Sequence, residues 1–182
     1  MISQLPAPWQ IRLASWGRQQ FMYNVNQHHP KESITPHPKH TISMWGIEFR
    51  APLSNSAGMF KNGEGYDTVA ALGAGAYIGG TSTANARTGN LKNGIALPFI
   101  SLYNSKSAIN FLGLPNLGDQ VLSQINITTN KIKGCPIGWS VMRSPDYAEN
   151  EGLAKLIESL WLYHNHPQID FIEINESCPN IK

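Results

Sequence analysis

Apolar positions along this chain follow two different periods. Leu153, Leu156, Ile157 and Leu160 fall at i, i+3, i+4 and i+7, with Glu149, Glu151, Lys155 and Glu158 between them. That spacing predicts an amphipathic helix over 149–163, its charged side in water. Residues 63–72 repeat the pattern with Tyr66, Val69, Ala70 and Leu72 inward and Gly73 as terminator. A further helix is expected over 118–127. Between these lie short apolar runs at 74–80, 136–142 and 169–174, of strand length and apolar on both faces, as strands covered on both sides must be. The small residues at 52–58 read as an earlier strand. Residues 42–49 read as a hairpin turning near Trp45-Gly46. The stretch 81–109 is expected to be a long loop.

The resulting order, β-α-β-α-β-α-β, is that of an α/β protein with a parallel sheet. Four strand units from Ile42 onward occupy roughly 140 residues, whereas a (β/α)8 TIM barrel takes about 250. The expectation is a TIM barrel of which this chain supplies about the first four β/α units. Half a barrel has bare strand edges, a liability for aggregation. The chain is therefore expected to be a fragment or to be completed by a second chain. Residues 1–41 read as an amino-terminal helical segment and linker, the linker being the Pro/His-rich stretch 24–41, and residues 42–182 as the half-barrel.

Composition narrows the partners. The net charge is +2 and only 14% of the 182 residues are charged, with no basic run, which excludes an electrostatic nucleic-acid surface. Two cysteines far apart are not a disulfide framework and suit a reducing, cytoplasmic compartment. Neither CxxC nor HExxH occurs, so no metal site is expected. The six histidines read as solvated residues of polar loops. No apolar run reaches the length of a membrane span. Trp9, Ile11, Leu13, Trp16, Phe21, Met22 and Tyr23 suit either packing on the body of the protein or peripheral contact with a membrane surface. The sparse basic charge favours packing.

In parallel α/β folds chemistry gathers at the carboxyl ends of strands. Here those ends are 57–61, 80–83, Ser140 and 175–180, joined by residues 110–116 from the long loop. Singly, each has an ordinary reading: a surface lysine, turn asparagines, a buried inert cysteine. Together they offer one lysine, several amides and hydroxyls, one thiol, and glycine where backbone must come close. Such a set suits a flat, acidic ring stacked on a flavin or similar cofactor.

The motifs in this order resemble the amino-terminal half of the dihydroorotate dehydrogenase family, from about Ile42 to Lys182. PLSNSAGMFKNGE (52–64) resembles that family's first strand and loop. The resemblance implies that Ala57 and Gly58 lie against FMN and that Lys61 contacts both the flavin and the orotate carboxylate. GTST (80–83) places Thr81, and PIGWSV (136–141) places Ser140, at flavin-contacting positions. NFLGLPN (110–116) is similar to the substrate loop, NSMGLPN in the soluble class and NRMGFNN in the quinone-linked class. It implies substrate contacts from Asn110, Gly113, Leu114 and Asn116. NESCPN (175–180) is similar to the soluble class's NLSCPN. It implies substrate amides at Asn175 and Asn180, a flavin contact at Asn175, and Cys178 as the catalytic base. Phe111 and Leu112 depart from both patterns toward a more apolar pocket.

The implied activity is FMN-dependent oxidation of dihydroorotate to orotate in pyrimidine (UMP) biosynthesis. A thiolate removes the C5 proton, and FMN receives the hydride from C6. The lysine resembles the quinone-linked class and the cysteine the soluble class, so the electron acceptor is quinone, fumarate or another oxidant. Homodimerisation stays open. Two rival readings remain: a related FMN barrel acting on another dihydropyrimidine or an enoyl substrate, and a non-catalytic half-barrel partner.

Overall fold

The computed structural model describes residues 5–27, 30, 32–90, 95, 98–102 and 104–178. Along the chain, α1 (Ala7–Gln27) precedes a 3-10 turn at Pro38–His40 and the hairpin of β1 (Ile42–Met44) and β2 (Ile47–Phe49). Then follow α2 (Tyr66–Ala71), β3 (Tyr77–Ser82), the pair β4 (Phe99–Leu102) and β5 (Ser107–Asn110), α3 (Asp119–Leu122), β6 (Ile137–Val141), α4 (Glu149–His164) and β7 (Phe171–Ile174).

The central sheet is parallel, in the order β3-β6-β7. Parallel bridges from Ser54 to Ala76 and from Phe60 to Gly79 put residues 54–60 beside β3, on its other edge. Four segments thus stand side by side in chain order, the arrangement expected of the first four units of a (β/α)8 barrel. The stretch 52–58 is not the continuous strand that its small residues predict; it touches β3 through these isolated bridges.

Register explains which side chains face where. Gly138 pairs with Phe171, Trp139 with Ile172 and Ser140 with Glu173. Because the period is two, Ile137, Trp139 and Val141 share one face, and Gly138 and Ser140 the other. The first face packs on the helices. Trp139 is fully buried and stacks on Tyr163 of α4, ring centroids 5.2 Å apart. Burying a large apolar side chain of this kind is worth about 1.5–3 kcal/mol. Gly79 is paired with Trp139 across the sheet, and a Cβ there would lie 2.6 Å from the indole, so glycine makes room for it. The opposite face is the barrel interior. At one end of it Phe171 fills the space left by Gly138 and meets Phe49 and Trp45 of the hairpin, which therefore closes the amino-terminal end. Trp45 and Gly46 both have positive φ (55° and 75°), as a two-residue type I′ turn requires.

A buried polar chain ties the helical layer together. Trp139 donates to Ser82 Oγ (2.9 Å), Ser82 Oγ lies 2.9 Å from the Tyr163 hydroxyl, and Tyr163 donates to Asp119 Oδ1 (2.8 Å). Ser159 donates to the other oxygen of Asp119. Burial together with the Asp119 charge pushes the Tyr163 hydroxyl well above its usual range. Networks of this kind stabilise only while every member is satisfied.

That network corrects the expected face of the longest barrel helix. Leu156 is buried and Leu160 partly so, but Leu153 and Ile157 are 47% and 56% exposed. The inward residues are Gly152, Leu156, Ser159 and Tyr163. Hydrogen bonds to Asp119, not apolar pattern alone, set the rotation. Four further corrections stand. Leu72 is 58% exposed, because α2 ends one residue before it. The helix expected over 118–127 is the single turn Asp119–Leu122. The expected loop 81–109 contains β4 and the start of β5, an exposed antiparallel pair whose short alternation was too weak to read. Finally, α1 continues to Gln27, into the stretch read as linker.

Candidate active site

Three polar regions collect where the strands end. The first is a one-directional chain of hydrogen bonds. Asn175 Nδ2 donates to Thr81 Oγ1 (2.8 Å), Thr81 Oγ1 lies 2.8 Å from Ser140 Oγ, and Ser140 donates to Glu173 Oε1 (2.7 Å). Ser140 has one proton and spends it on Glu173, so the Thr81 hydroxyl points its proton at Ser140 and accepts from Asn175. Cross-strand register makes this possible: Gly80, Ser140 and Glu173 are neighbours across the sheet, and a register irregularity between Gly80 and Ser82 brings in Thr81. Asn175 Oδ1 accepts from the Ser177 amide (3.0 Å), a local turn that redirects the chain just before Cys178.

The second region is an open groove of about 660 Å³ at the mouth of the barrel interior. Ala57, Asn55, Ile78, Glu173, Asn175 and Ser177 border it. Gly58, with φ 85°, donates its amide to the Gly80 carbonyl (2.6 Å). It thereby locks the 57–61 turn to the end of β3.

The third is a cavity of about 400 Å³ that Lys61, Asn62, Glu64, Arg87 and Asn116 share with Arg18 of α1. Lys61 is 8% exposed. Burial chiefly, and next the Arg18 charge, push its ammonium down to about 8, while Cys178 and Glu64 act the other way. Cys178 is half-buried and near enough to exert that effect. Asn116 is buried and doubly employed. It donates to Thr83 Oγ1 (3.0 Å) and the Leu114 carbonyl (2.8 Å), and its oxygen accepts from the Gly118 amide (2.9 Å). It is thus the clamp of its own loop. Leu114 and Gly113 are buried with φ of 55° and 69°, and a Cβ on Gly113 would strike the Asn90 amide at 2.4 Å.

The structure therefore brings Lys61 and Asn116 to one cavity, Ala57 and Asn175 to the groove, and Thr81, Ser140 and Asn175 to one hydrogen-bond chain. Gly58 adjoins Lys61, and Cys178 is close enough to act on its charge. Asn110 is elsewhere: it closes β5 and borders an apolar groove against α1 rather than the Lys61 cavity. Asn180 lies outside the described residues. Sequence reasoning missed Arg18, Arg87 and Glu173. The alternation Ile172, Glu173, Ile174 in a strand was a usable signal for Glu173, because a carboxylate on a covered strand needs a partner.

The family model for dihydroorotate dehydrogenase matches residues 40–182. The chain belongs to the dihydroorotate dehydrogenase family. Among curated members, dihydroorotate dehydrogenase (quinone) of Coxiella burnetii (strain Dugway 5J108-111) is 31% identical over 147 residues, covering 79% of this chain and 39% of that protein. The corresponding protein of Acinetobacter baylyi is 29% identical over 153 residues, 84% of this chain and 42% of that protein. The chain thus spans about two fifths of the length of these dehydrogenases. Two crystal structures of DHODH from Eimeria tenella share the fold. With ferulenol bound, the TM-score is 0.69 at 20% identity over 92% of this chain and 44% of that one. Ligand-free, it is 0.68 at 20% identity, over 93% and 47%. The four parallel units are accordingly part of a (β/α)8 barrel of the dehydrogenase family.

Proposed function

We propose that this chain contributes the dihydroorotate-binding half of an FMN-dependent dehydrogenase that oxidises dihydroorotate to orotate in pyrimidine biosynthesis. The observation that carries the reading is a buried lysine lying against a turn whose glycine leaves the backbone bare, with a thiol close enough to act on its charge.

The residues present fit the polar edge of an isoalloxazine. Gly58 has no side chain to hold a ring off the backbone, Ala57 opens onto the groove, and Thr81, Ser140 and Asn175 supply hydroxyls and an amide with fixed donor directions. Ala57, Gly58, Lys61, Thr81, Ser140 and Asn175 would hold that edge. When bound, FMN supplies the hydride acceptor. The chain's own residues do the rest. Lys61 pairs with the substrate carboxylate as a compact charge. Asn116 holds the loop that brings the Gly113 and Leu114 backbone to the ring. Cys178 takes the C5 proton. With FMN supplied, the completed barrel containing this chain is expected to lose its flavin absorbance at about 450 nm on anaerobic addition of dihydroorotate but not dihydrouracil. Bleaching by dihydrouracil instead would favour a different dihydropyrimidine; a protein that takes up no flavin would favour the non-catalytic half-barrel.

For the acceptor we favour quinone over fumarate. The relatives named above are quinone-linked, and α1 and the β4–β5 pair enclose an apolar groove of about 370 Å³ lined by Pro8, Ile11, Phe99, Ile100, Ile109 and Phe111. Its apolar lining suits an uncharged, lipid-soluble ring and not a dicarboxylate. Filling the groove by Ile11→Trp should lower quinone-linked turnover at least about tenfold and leave fumarate-linked turnover unchanged; equal loss with both would refute the assignment. Trp9, Leu13, Trp16 and Tyr23 form an exposed stripe on α1, which suits a bilayer surface. No helix among the described residues is long and apolar enough to cross a membrane.

A further inference from the structure

The turn that carries Lys61 is gripped from outside the barrel. Arg18, midway along α1, is half-buried, and its Nη2 donates to two successive carbonyls, Gly58 (3.1 Å) and Met59 (2.9 Å). From the sheet side the same turn is held by the Gly58 amide on Gly80 O and by the Gly80 amide on Phe60 O (3.0 Å). Lys61 Nζ lies against Gly58: a Cβ there would sit 3.6 Å from it. Helix and barrel contribute Arg18, Gln19 and Met22 on one side and Lys61, Asn62 and Asn116 on the other to one cavity. Among the described residues, neither Arg18 nor Lys61 belongs to an ion pair, although two cations share this turn.

We propose that Arg18 is a positioning residue through which the amino-terminal helix holds Lys61 in place for the substrate's carboxylate. The two hydrogens of Nη2 lie in the fixed guanidinium plane, one for each carbonyl, whereas the donors of a lysine ammonium rotate freely at the end of a shorter, flexible stem. Two cations share this turn with a single carboxylate, Glu64, that acts on both, which leaves positive charge for an anionic ligand. The groups facing Lys61 are Arg18 from α1, Arg87 from the segment after β3, Glu64 from its own turn and Cys178 beyond β7. Arg87 is engaged by Asp146, so its charge is partly answered. Arg18 is the neighbour that most opposes the Lys61 charge, after burial itself. The inference rests on the reading of Lys61 as the carboxylate-binding residue.

The test uses the full chain with lysine labelled at ¹³Cε, the Lys61 signal being assigned by its loss in Lys61→Met. In the unaltered chain that signal should titrate near pH 8. In Arg18→Gln the midpoint should rise, and exchange of the Gly58 amide should quicken about tenfold or more as the turn loosens. Arg18→Lys should keep the low midpoint, because the charge remains, but should still quicken exchange, because the shorter side chain does not fix its donors in the plane of the two carbonyls. Orotate should bind at least about tenfold more weakly to both. An unchanged midpoint and unchanged exchange in Arg18→Gln would overturn the proposal, whatever orotate does. If Arg18→Gln does not fold, Arg18→Lys decides it through exchange alone: unaltered exchange overturns the clamp. Failure of the unaltered chain to bind orotate would instead remove the carboxylate role of Lys61, while the two spectroscopic readouts still decide whether Arg18 holds the turn.

Discussion

Replacing Cys178 by alanine should cut dihydroorotate turnover by about 10²–10⁴-fold, the range that a positioned base contributes. Orotate binding should change less than about threefold. The Asx turn in which the Asn175 side chain caps the Ser177 amide lies immediately before Cys178, and the thiol then acts electrostatically on buried Lys61. A carboxylate held by that lysine would bring the substrate ring to the side of the site where Cys178 lies. The thiolate is the basic form. Cys178→Ser tests the same point from another side: it keeps the size but offers a hydroxyl that does not ionise in the working range, and it should resemble alanine. Steady-state rates with dihydroorotate and competitive binding of orotate decide the matter. Full-rate turnover by Cys178→Ala would show that some other group takes the proton.

Much of the scaffold was legible because its signals are local. The hairpin at 42–49 has strict alternation and a glycine at its turn, β6 is a buried run of strand length, and α4 is long for a helix and strongly patterned. The exposed β4–β5 pair was not legible, since neither face is buried deeply enough to impose an alternation. The rotation of α4 was misread for a related reason. Ser159 and Tyr163 point inward to reach Asp119, forty and forty-four residues away, and no local pattern contains that partner. The candidate site shows the same divide. Lys61, Thr81, Ser140 and Asn175 sit in recognisable strand-exit motifs. Arg18 is a single arginine on an aromatic-rich helix, and its role depends on where α1 docks, a tertiary fact. Asn116 was legible as a residue but not as a device: its polar atoms are spent on Thr83, Leu114 and Gly118, so it shapes the loop before it can meet a ligand.

Lys61→Met should make the protein more stable at pH 7, by about 3 kcal/mol, while weakening orotate binding by about thirtyfold or more. Burial lowers the Lys61 ammonium from 10.5 to about 8, and Arg18 adds to the effect. The folded state therefore holds this proton less tightly than the unfolded chain does. At 1.36 kcal/mol per pH unit, the burdened charge costs the fold about 3 kcal/mol. Below pH 8 both states are protonated and the whole cost is felt. Between about 8 and 10.5 the unfolded chain carries more protons, so the unaltered protein gains stability as pH rises. Above that window both states are neutral and the cost has gone. Methionine fills a similar volume with no charge, so its advantage should be largest at pH 7 and should shrink steadily through the window. Urea midpoints of both proteins between pH 7 and 10.5, at equal m-values, measure this directly. A variant less stable at pH 7, or a difference that does not vary with pH, would mean that Lys61 supports the fold rather than straining it. The expected pattern is that of a residue kept at a cost to stability for the sake of a ligand, and the loss of orotate affinity in the same variant identifies the ligand's carboxylate as the reason.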